Sequence, residues 1–466
     1  MYFRTVRRWC GMCTVAIVVC AGGTSAMAQA YQQTNLVSDI QGLAQNPTSG
    51  QPDTQLVNPW GLVATPTSPW WAADNNAGVS TLYNGQGVKQ GLVVNIPSPV
   101  SGVAGTPTGI VFTGATGFAF QADGKTAGAA FTFVTEDGTI VAWGPGINPQ
   151  DLPNDAFIVV DNSSNPTAAT GAVYKGATIA QLTTGGPSYL YVTNIRAGRV
   201  EVYDTTFHVL DLPDNDGEPA FVDREVPLGF APFNVQEVNG DLYVTYAKQN
   251  AAKHDDFDFP GFGFVDKFSP SGKLLQRLER GPWLNAPWGV ALAPASFGFF
   301  SNHLLVGNAG SGQIAVYDVA SGHFDGLLRD ANGHAFQNDR LWALQFGNGQ
   351  AAGPSNWLFF TAGISDEAHG LFGFFTPADN SAPEGKWTAL EHRVRRTRLA
   401  CLGKADRVHA SNLRVFRARQ KSSAGWSARL GGLCDEIAED QCFALCVEAF
   451  ESIGRSNLGI YFWHGD

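Results

Sequence analysis

The sequence predicts an all-β, six-bladed β-propeller, and three observations support this fold class. Short runs of alternating apolar and polar residues end in Gly, Asn, Asp or Pro, which is typical of strands joined by tight turns, and helical periodicity is nearly absent before residue 379. A Pro–aromatic–Gly turn, or a close variant, begins at Pro59, Pro107, Pro232 and Pro287. The spacing of roughly 50–60 residues per unit suits four strands and their loops.

Each of six repeats is predicted to have a turn, an apolar strand, a strand that ends in a polar turn, and a strand that ends near an aromatic residue. The predicted segments are 58–62, 70–74 and 79–83; 106–110, 131–135 and 138–143; 190–194 and 198–203; 231–234, 242–245 and 263–268; 285–289, 304–308 and 312–317; and 341–343, 357–361 and 370–374. Residues 32–37 are expected to complete the last blade. A sandwich array and a β-helix are the alternatives, but the period is too long for a β-helix coil.

Residues 1–28 are interpreted as an export signal, which predicts a periplasmic or extracellular protein. Arg4, Arg7 and Arg8 form a basic start, residues 10–23 are apolar, and Ala26 and Ala28 provide a small-x-small cleavage pattern. An N-terminal membrane anchor is the alternative. No later stretch reaches the length of a membrane span.

Residues 379–466 differ in texture from the predicted propeller of 29–378. Residues 386–429 contain 12 basic and two acidic residues, and all cysteines beyond the signal lie in this tail, at Cys401, Cys434, Cys442 and Cys446. The tail is expected to be short, irregular or partly helical, with one amphipathic helix over 434–453. We interpret it as a disordered or non-native extension; contact of its basic run with anionic lipid or nucleic acid is the alternative.

Charge and missing motifs narrow the function. A net charge of −11 and a pI near 5.3 argue against a nucleic-acid partner. The sequence lacks a Gly-x-Ser-x-Gly nucleophile elbow, a His-Glu-x-x-His zinc helix and a Walker A loop. Neither the oligomeric state nor the substrate follows from these patterns.

Propeller topology places the start of each inner strand and the end of the next strand at one face, around the central channel. The polar turn residues expected there are Asn58, Asp74, Asn75, Asn76, Glu136, Asp137, Asn194, Arg196, Lys248, Asn285, Asn308, Asp339, Asp366 and Glu367. Converging carboxylate and amide oxygens are suited to calcium, although Asn, Asp and Gly are also ordinary turn residues. A second feature is the run 254–258, in which His254 beside Asp255 and Asp256 is either a general base or part of a polar loop.

The motifs resemble the NHL-like six-bladed propellers, and more narrowly an exported bacterial family of unknown function. The resemblance covers about residues 31–376 and is carried by the segments 58–62, 73–75, 81–83, 246–249, 254–256, 284–289, 304–308 and 369–373. It implies a fold and not a reaction.

A more distant resemblance, to gluconolactonase-like propellers, implies a calcium-dependent hydrolase of lactones or small esters. Such enzymes hold one calcium ion in the channel mouth, where the ion polarises the carbonyl and a carboxylate manages the attacking water. On this hypothesis Asn58, Asn194, Asn308 and Asp366 would be metal ligands. Asp74 or Asp339 would be the base. That family has Glu at the place of Asn58.

Two other functions remain open. A non-catalytic module would bind an extracellular protein or glycan, with Trp60, Trp288 and Trp342 either as ligand platforms or as packing between blades. A quinone-dependent dehydrogenase would need His and Arg groups around a cofactor, and Arg196 alone is readily placed there.

Overall fold

The computed structural model describes residues 30–378, except for 115–116, 123, 148–153 and 216, together with three short strands between 415 and 461. The chain divides into two units, Met1–Asp379 and Asn380–Asp466. The predicted export signal lies outside the described residues. In the part of the chain that is described, no helix combines the length and the apolar character needed to cross a membrane.

The first unit is a six-bladed β-propeller, as the sequence predicted. Its first strand is β1 (Tyr31–Ser38). Blade 1 consists of β2 (Pro59–Val63), β3 (Trp70–Asp74), β4 (Val79–Tyr83) and β5 (Lys89–Asn95). Blade 2 consists of β6 (Pro107–Phe112), β9 (Phe131–Thr135), β10 (Thr139–Trp143) and β11 (Phe157–Asp161), with a separate hairpin of β7 (Ala119–Ala122) and β8 (Lys125–Gly128). Blade 3 consists of β12 (Tyr174–Gln181), β13 (Ser188–Asn194) and β14 (Arg199–Tyr203).

The second half of the ring repeats this plan. Blade 4 consists of β15 (Phe230–Val238), β16 (Asp241–Lys248), β17 (Gly263–Phe268) and β18 (Leu274–Arg277). Blade 5 consists of β19 (Pro287–Leu292), β20 (Leu304–Asn308), β21 (Ile314–Tyr317) and β22 (Phe324–Leu327), with a 3₁₀ helix at Gly298–Phe300. Blade 6 consists of β23 (Leu341–Phe346), β24 (Leu358–Ala362) and β25 (Leu371–Pro377).

Strand β1 closes the ring as the outer strand of blade 6, which confirms the expectation for residues 32–37. It pairs antiparallel with β25, from Tyr31 opposite Pro377 to Ser38 opposite Leu371. Blade 6 thereby has four strands, as blades 1, 2, 4 and 5 do. The N-terminal strand therefore joins the two ends of the propeller.

The inner strands approach one another closely because small residues face their neighbours. A Cβ on Gly61 would lie 2.5 Å from the carbonyl oxygen of Thr108 in the next inner strand, and one on Gly289 would lie 2.4 Å from that of Trp342. These contacts explain the glycine that follows the aromatic residue in the repeated turn. The residue before each glycine then points towards the axis.

In the second unit, the described residues form three strands, β26 (Val415–Ala418), β27 (Cys446–Ser452) and β28 (Arg455–Tyr461), in the order β26–β28–β27. The helix predicted over 434–453 is therefore a strand from residue 446 to residue 452, and its first part lies outside the described residues. Ser452 pairs with Arg455. All seven residues of β27 pair with β28, and this ladder takes the place of helical hydrogen bonds.

Candidate functional site at the channel mouth

Each of the six inner strands contributes one side chain to a ring of residues around the channel axis. These residues are Trp60, Thr108, Lys175, Phe233, Trp288 and Trp342. Trp60 and Trp342 stack with ring centroids 3.5 Å apart, and Trp288 meets Trp60 edge-on at 5.9 Å. The channel is thus plugged by aromatic rings rather than open at this level.

The three tryptophans are packing residues. They are 0–4% exposed, so none of them can serve as an exposed ligand platform. Of the two interpretations from the sequence, the structure supports packing. The Trp342 Nε1 donates a hydrogen bond to Asn58 Oδ1 at 3.0 Å, which fixes the plug to the turn above it.

Lys175 is the charged member of this ring and lies at the centre of the mouth. Its side chain is fully buried, with Nζ 4.8 Å from the centroid of the Trp60 ring. The ammonium donates to Glu136 and to Asp255 Oδ1, the latter at 2.9 Å. Burial disfavours the charged form, but the two carboxylates outweigh it and raise the pKa of Lys175 above its usual range. Lys175 therefore remains a cation that ties blades 2, 3 and 4 together.

An insertion between β16 and β17, residues 250–262, crosses this part of the mouth, and we call it the strap. Its middle is fixed where Phe257 N donates to Lys248 O at 2.7 Å. Its end is fixed where Gly261 N donates to Leu284 O at 2.8 Å. These bonds to neighbouring strands and turns give a loop of this length a defined path.

The strap contributes a histidine–carboxylate pair. His254 Nδ1 lies 2.9 Å from Asp255 Oδ1, and the side chain of His254 is 38% exposed. Burial alone would raise the pKa of Asp255, but His254 and the Lys175 ammonium outweigh it and hold this pKa well below its usual range. An ionised Asp255 favours the histidine tautomer that carries its proton on Nδ1. The other ring nitrogen, Nε2, is then the one that can accept a proton.

Arg340 closes the opposite side of the mouth. Its guanidinium lies 3.0 Å from Asp256 and 3.2 Å from Asp258, both in the strap. It also lies 3.5 Å from Glu367 and 3.6 Å from Asp366, in the turn between β24 and β25. Four carboxylates thus surround one cation.

This excess of acid changes the protonation of the mouth. Burial and then the neighbouring Asp256 raise the pKa of Asp258 to about 8. Burial raises the pKa of Glu367 to about 7, although Arg340 opposes this shift. Both carboxyl groups are therefore protonated in a large fraction of the molecules near neutral pH.

The turns that carry these groups are held in left-handed backbone conformations. Residues 365–367 have φ values of 59°, 54° and 68°. Asn58 and Arg340, each directly before an inner strand, both have a φ of 48°. Such conformations cost of order 1 kcal/mol or more for a non-glycine residue and are concentrated at functional sites.

The structure separates the six residues predicted to be ligands or bases. Asn58 and Asp366 belong to the mouth, because Asn58 Nδ2 donates to Glu367 at 2.9 Å and Asp366 pairs with Arg340. Asp339 is exposed and accepts from the backbone N–H of Asp366 at 2.9 Å. Asp74 is fully buried and accepts from Thr81 Oγ1 at 2.6 Å inside blade 1.

The side-chain oxygens of Asn194 and Asn308 accept hydrogen bonds from backbone N–H groups of turns. Asn194 accepts from Ala197 N at 3.1 Å, and Asn308 accepts from Asn285 N at 2.8 Å. With the bond from Trp342 to Asn58, the side-chain oxygens of all three predicted asparagine ligands are occupied by N–H donors. Calcium needs six to eight oxygen ligands. An ion bound by Asn58, Asn194, Asn308 and Asp366 would therefore share these oxygens with N–H donors, and calcium binding there stays a prediction.

A different group has metal-ligand types close together. Candidate ligand atoms of Glu136, His254 and Asp255 lie within 4.8 Å of one another. The Lys175 ammonium already contacts both carboxylates of this group. A divalent ion would have to compete with a built-in cation there.

Lys175 and Arg340 are the functional candidates that the sequence did not reveal. Arg340 directly precedes a predicted strand, where it reads as an ordinary turn residue. Lys175 lies in a strand that is not preceded by a Pro–aromatic turn. The available signal for Lys175 was Gly176, which occupies the same place as Gly61 and Gly289 in their repeats.

The fold and the site define a closed, six-bladed propeller with a plugged channel and an acidic mouth. No protein-family model matches the chain. It is 30% identical over 271 residues to an uncharacterised protein of Acanthamoeba polyphaga mimivirus, covering 57% of this chain and 67% of that protein. The chain belongs to the family of this mimivirus protein.

Two further mimivirus proteins, also uncharacterised, match the chain. One is 27% identical over 325 residues, covering 69% of this chain and 75% of that protein. The other is 31% identical over 221 residues and 46% of this chain, and the match spans only 38% of that protein's length. These relatives are viral, so they give no support to the bacterial origin that the resemblance implied.

Solved propellers are similar at low sequence identity. A glucose dehydrogenase has a TM-score of 0.42 at 13% identity, covering 74% of this chain and 99% of that one. A Bacteroides thetaiotaomicron protein of unknown function has a TM-score of 0.43 at 10% identity, covering 74% and 76%. A Staphylococcus aureus virginiamycin B lyase has a TM-score of 0.37 at 10% identity, covering 74% and 98%. Similarities at this level carry no argument about activity.

Proposed function

We propose that the channel mouth hydrolyses lactones or small esters, with His254 as the general base. The observation that carries the proposal is the 2.9 Å pairing of His254 Nδ1 with Asp255 in a half-exposed strap. A histidine held in this way can take a proton from water through Nε2 as the water attacks a carbonyl carbon. It can return that proton to the leaving oxygen when the acyl C–O bond breaks, which yields the acid and the alcohol. A positioned general base contributes roughly 10²–10⁴-fold to a rate.

Lys175 acts as a positioning residue. It is buried and does not reach substrate, but its ammonium keeps Asp255 ionised and in contact with His254. Glu136 holds the other side of the same ammonium and accepts from Asn75 Nδ2 at 2.9 Å.

Calcium enters the proposal as a separate question. The three asparagine oxygens of the predicted ligand set already accept from N–H donors, and at Glu136, His254 and Asp255 the ion would compete with Lys175. We therefore expect hydrolysis to persist in excess EDTA. Loss of activity in EDTA and its recovery with calcium would instead support the calcium-dependent reaction expected from the sequence.

The experiment measures kcat/KM of the full chain on a panel of γ- and δ-lactones and p-nitrophenyl acetate. His254→Gln should lower kcat/KM by roughly 10²-fold or more, because the base is lost while the strap retains its carboxylates. His334→Gln is the matched control, because His334 is also paired with an aspartate, Asp330, at 3.6 Å and is 80% exposed. Equal activity of His254→Gln and wild type, or no hydrolysis of any member, would contradict the proposal.

A non-catalytic binding role is the second candidate. The tryptophans cannot provide its surface, since they are buried. Exposed apolar side chains outside the mouth favour such a role instead, with Leu228, Phe257 and Phe259 as the main examples.

A further inference from the structure

A contiguous apolar surface lies on the outer side of the strap and the adjoining edge of blade 4. Its residues, which we call the aromatic patch, are Leu228, Phe230, Phe257, Phe259, Phe262 and Phe264. Leu228 is 99% exposed, and Phe257 and Phe259 are 56% and 58% exposed. Large apolar side chains exposed together mark interaction sites more often than a single exposed residue does.

Ring contacts join the five phenylalanines of the patch into one surface, and Leu228 lies two residues before Phe230 in the chain. Phe262 lies at its centre, with centroids 5.3 Å from Phe259, 6.2 Å from Phe257 and 5.9 Å from Phe230. Phe230 also meets Phe264 edge-on at 5.0 Å. The rings support one another, so the exposed faces are held in place without a ligand.

The strap has two chemically different sides. Asp256 and Asp258 point to Arg340 in the mouth, whereas the alternating residues Phe257 and Phe259 are exposed. The carboxylates of the strap are therefore directed away from the patch. Their charge is balanced in part by Lys175 and Arg340.

Cations border the patch. Lys248 Nζ lies 5.0 Å from the Phe230 centroid, and it reaches the carbonyl of Leu228 at 3.5 Å. The guanidinium of Arg280, which is exposed, lies 5.7 Å from the Phe264 centroid. Exposed leucine and phenylalanine beside lysine and arginine is the combination that binds the interfacial region of an anionic bilayer.

We propose that the aromatic patch docks this protein on an anionic lipid surface, with Leu228, Phe257 and Phe259 entering the headgroup region while Lys248 and Arg280 contact lipid phosphates. The chain carries a net charge of −11, which would repel such a surface at long range. At physiological salt the Debye length is about 8 Å, so the charges beside the patch dominate once it is in contact. The proposal does not depend on hydrolysis.

The experiment is co-sedimentation of the full chain with phosphatidylcholine vesicles, with and without phosphatidylserine, at low and high salt. Wild type should bind the phosphatidylserine vesicles more tightly, and salt should weaken the binding. Leu228→Ser combined with Phe257→Ser and Phe259→Ser should abolish binding. Lys248→Gln with Arg280→Gln should weaken it by roughly fivefold per cation removed and reduce its salt dependence.

Phe299→Ser is the matched control, because Phe299 is 63% exposed and lies in the 3₁₀ helix of blade 5. It should bind vesicles as wild type does. Failure of wild type to bind either vesicle, or equal binding by the triple variant, would overturn the proposal. Sedimentation velocity without lipid provides a second readout: self-association that the triple variant abolishes would assign the patch to a second copy of the chain and also overturn it. Circular dichroism of each variant confirms that the fold is retained.

Discussion

At the residue scale, a buried carboxyl group outside the mouth controls how stability depends on pH. Asp266 on β17 is 2% exposed, and its Oδ2 has no hydrogen-bond partner among the described residues. Burial and then the charge of Asp223 raise the pKa of Asp266 to about 8. Asp223 itself is ionised, because Arg277 contacts it at 2.7 Å and lowers its pKa. Asp266 is therefore protonated in the folded protein at neutral pH.

The sign of the effect follows from proton linkage. An unfolded aspartate has a pKa of about 3.9, so between that value and about 8 the folded state binds the proton more tightly than the unfolded state. The free energy of unfolding should then fall as pH rises through this window, by at most about 1.4 kcal/mol per pH unit from this group. Asp266→Asn should remove that slope and be more stable than wild type at pH 8, since the amide stays neutral.

Urea unfolding at several pH values measures both slopes. Asp214→Asn is the control, because Asp214 is exposed and its replacement removes one carboxylate without changing a buried site. Parallel curves for wild type and Asp266→Asn would show that Asp266 does not retain its proton.

At the element scale, the short distance between inner strands limits the size of the residue that can follow the aromatic residue in the repeated motif. Gly289→Ala places a methyl group 2.4 Å from the Trp342 carbonyl oxygen, which is backbone and cannot rotate away. We expect a loss of about 1–3 kcal/mol in the free energy of unfolding. Gly91→Ala is the matched control, because Gly91 lies in the outer strand β5 with nothing within 4 Å of its Cβ position. Equal midpoints in urea would show that the inner strands can separate without cost.

The strands that could be predicted from the sequence are those next to distinctive turn residues. Pro59, Pro107 and Pro287 each begin an inner strand, as predicted, whereas Pro232 lies inside β15 beside a register shift. Strand β12 was missed, because no proline precedes it and a lysine interrupts its apolar pattern. Turn residues can be recognised from the local sequence. Which strand contributes a side chain to the channel can be recognised only when the order of the blades around the ring is known.

The same reasoning explains why the site was predicted only in part. The His254–Asp255 pair was visible in the sequence, but whether it lay in the mouth depended on the path of a long insertion. Lys175 and Arg340 fix that path through ion pairs with residues 80 and 84 positions away. Asparagines near strand ends were predicted as ligands, yet their oxygens accept from turn N–H groups or from the Trp342 indole. Local composition cannot distinguish these two uses.

At the scale of the whole molecule, stability depends on how the ends of the ring are joined. Tyr31, the first residue of β1, is 2% exposed, and its hydroxyl donates to Phe297 O at 2.9 Å and accepts from Phe300 N at 3.2 Å. The N-terminal strand of blade 6 is therefore also anchored to blade 5. The Tyr31 hydroxyl therefore helps to hold together the first and last strands of a propeller of about 350 residues.

Tyr31→Phe should destabilise the protein by about 1–3 kcal/mol, because it leaves a buried carbonyl and a buried N–H without their partner. Tyr246→Phe is the matched control, since the buried Tyr246 hydroxyl has no hydrogen-bond partner in the described part of the chain. Its removal should be neutral or stabilising. Urea unfolding compares the two variants, and hydrogen exchange locates the change: β1 and β25 should exchange faster in Tyr31→Phe while blade 3 keeps its protection. Equal loss of protection in every blade would mean that the ring opens only by global unfolding, and no loss would mean that β1 is held by its ladder alone.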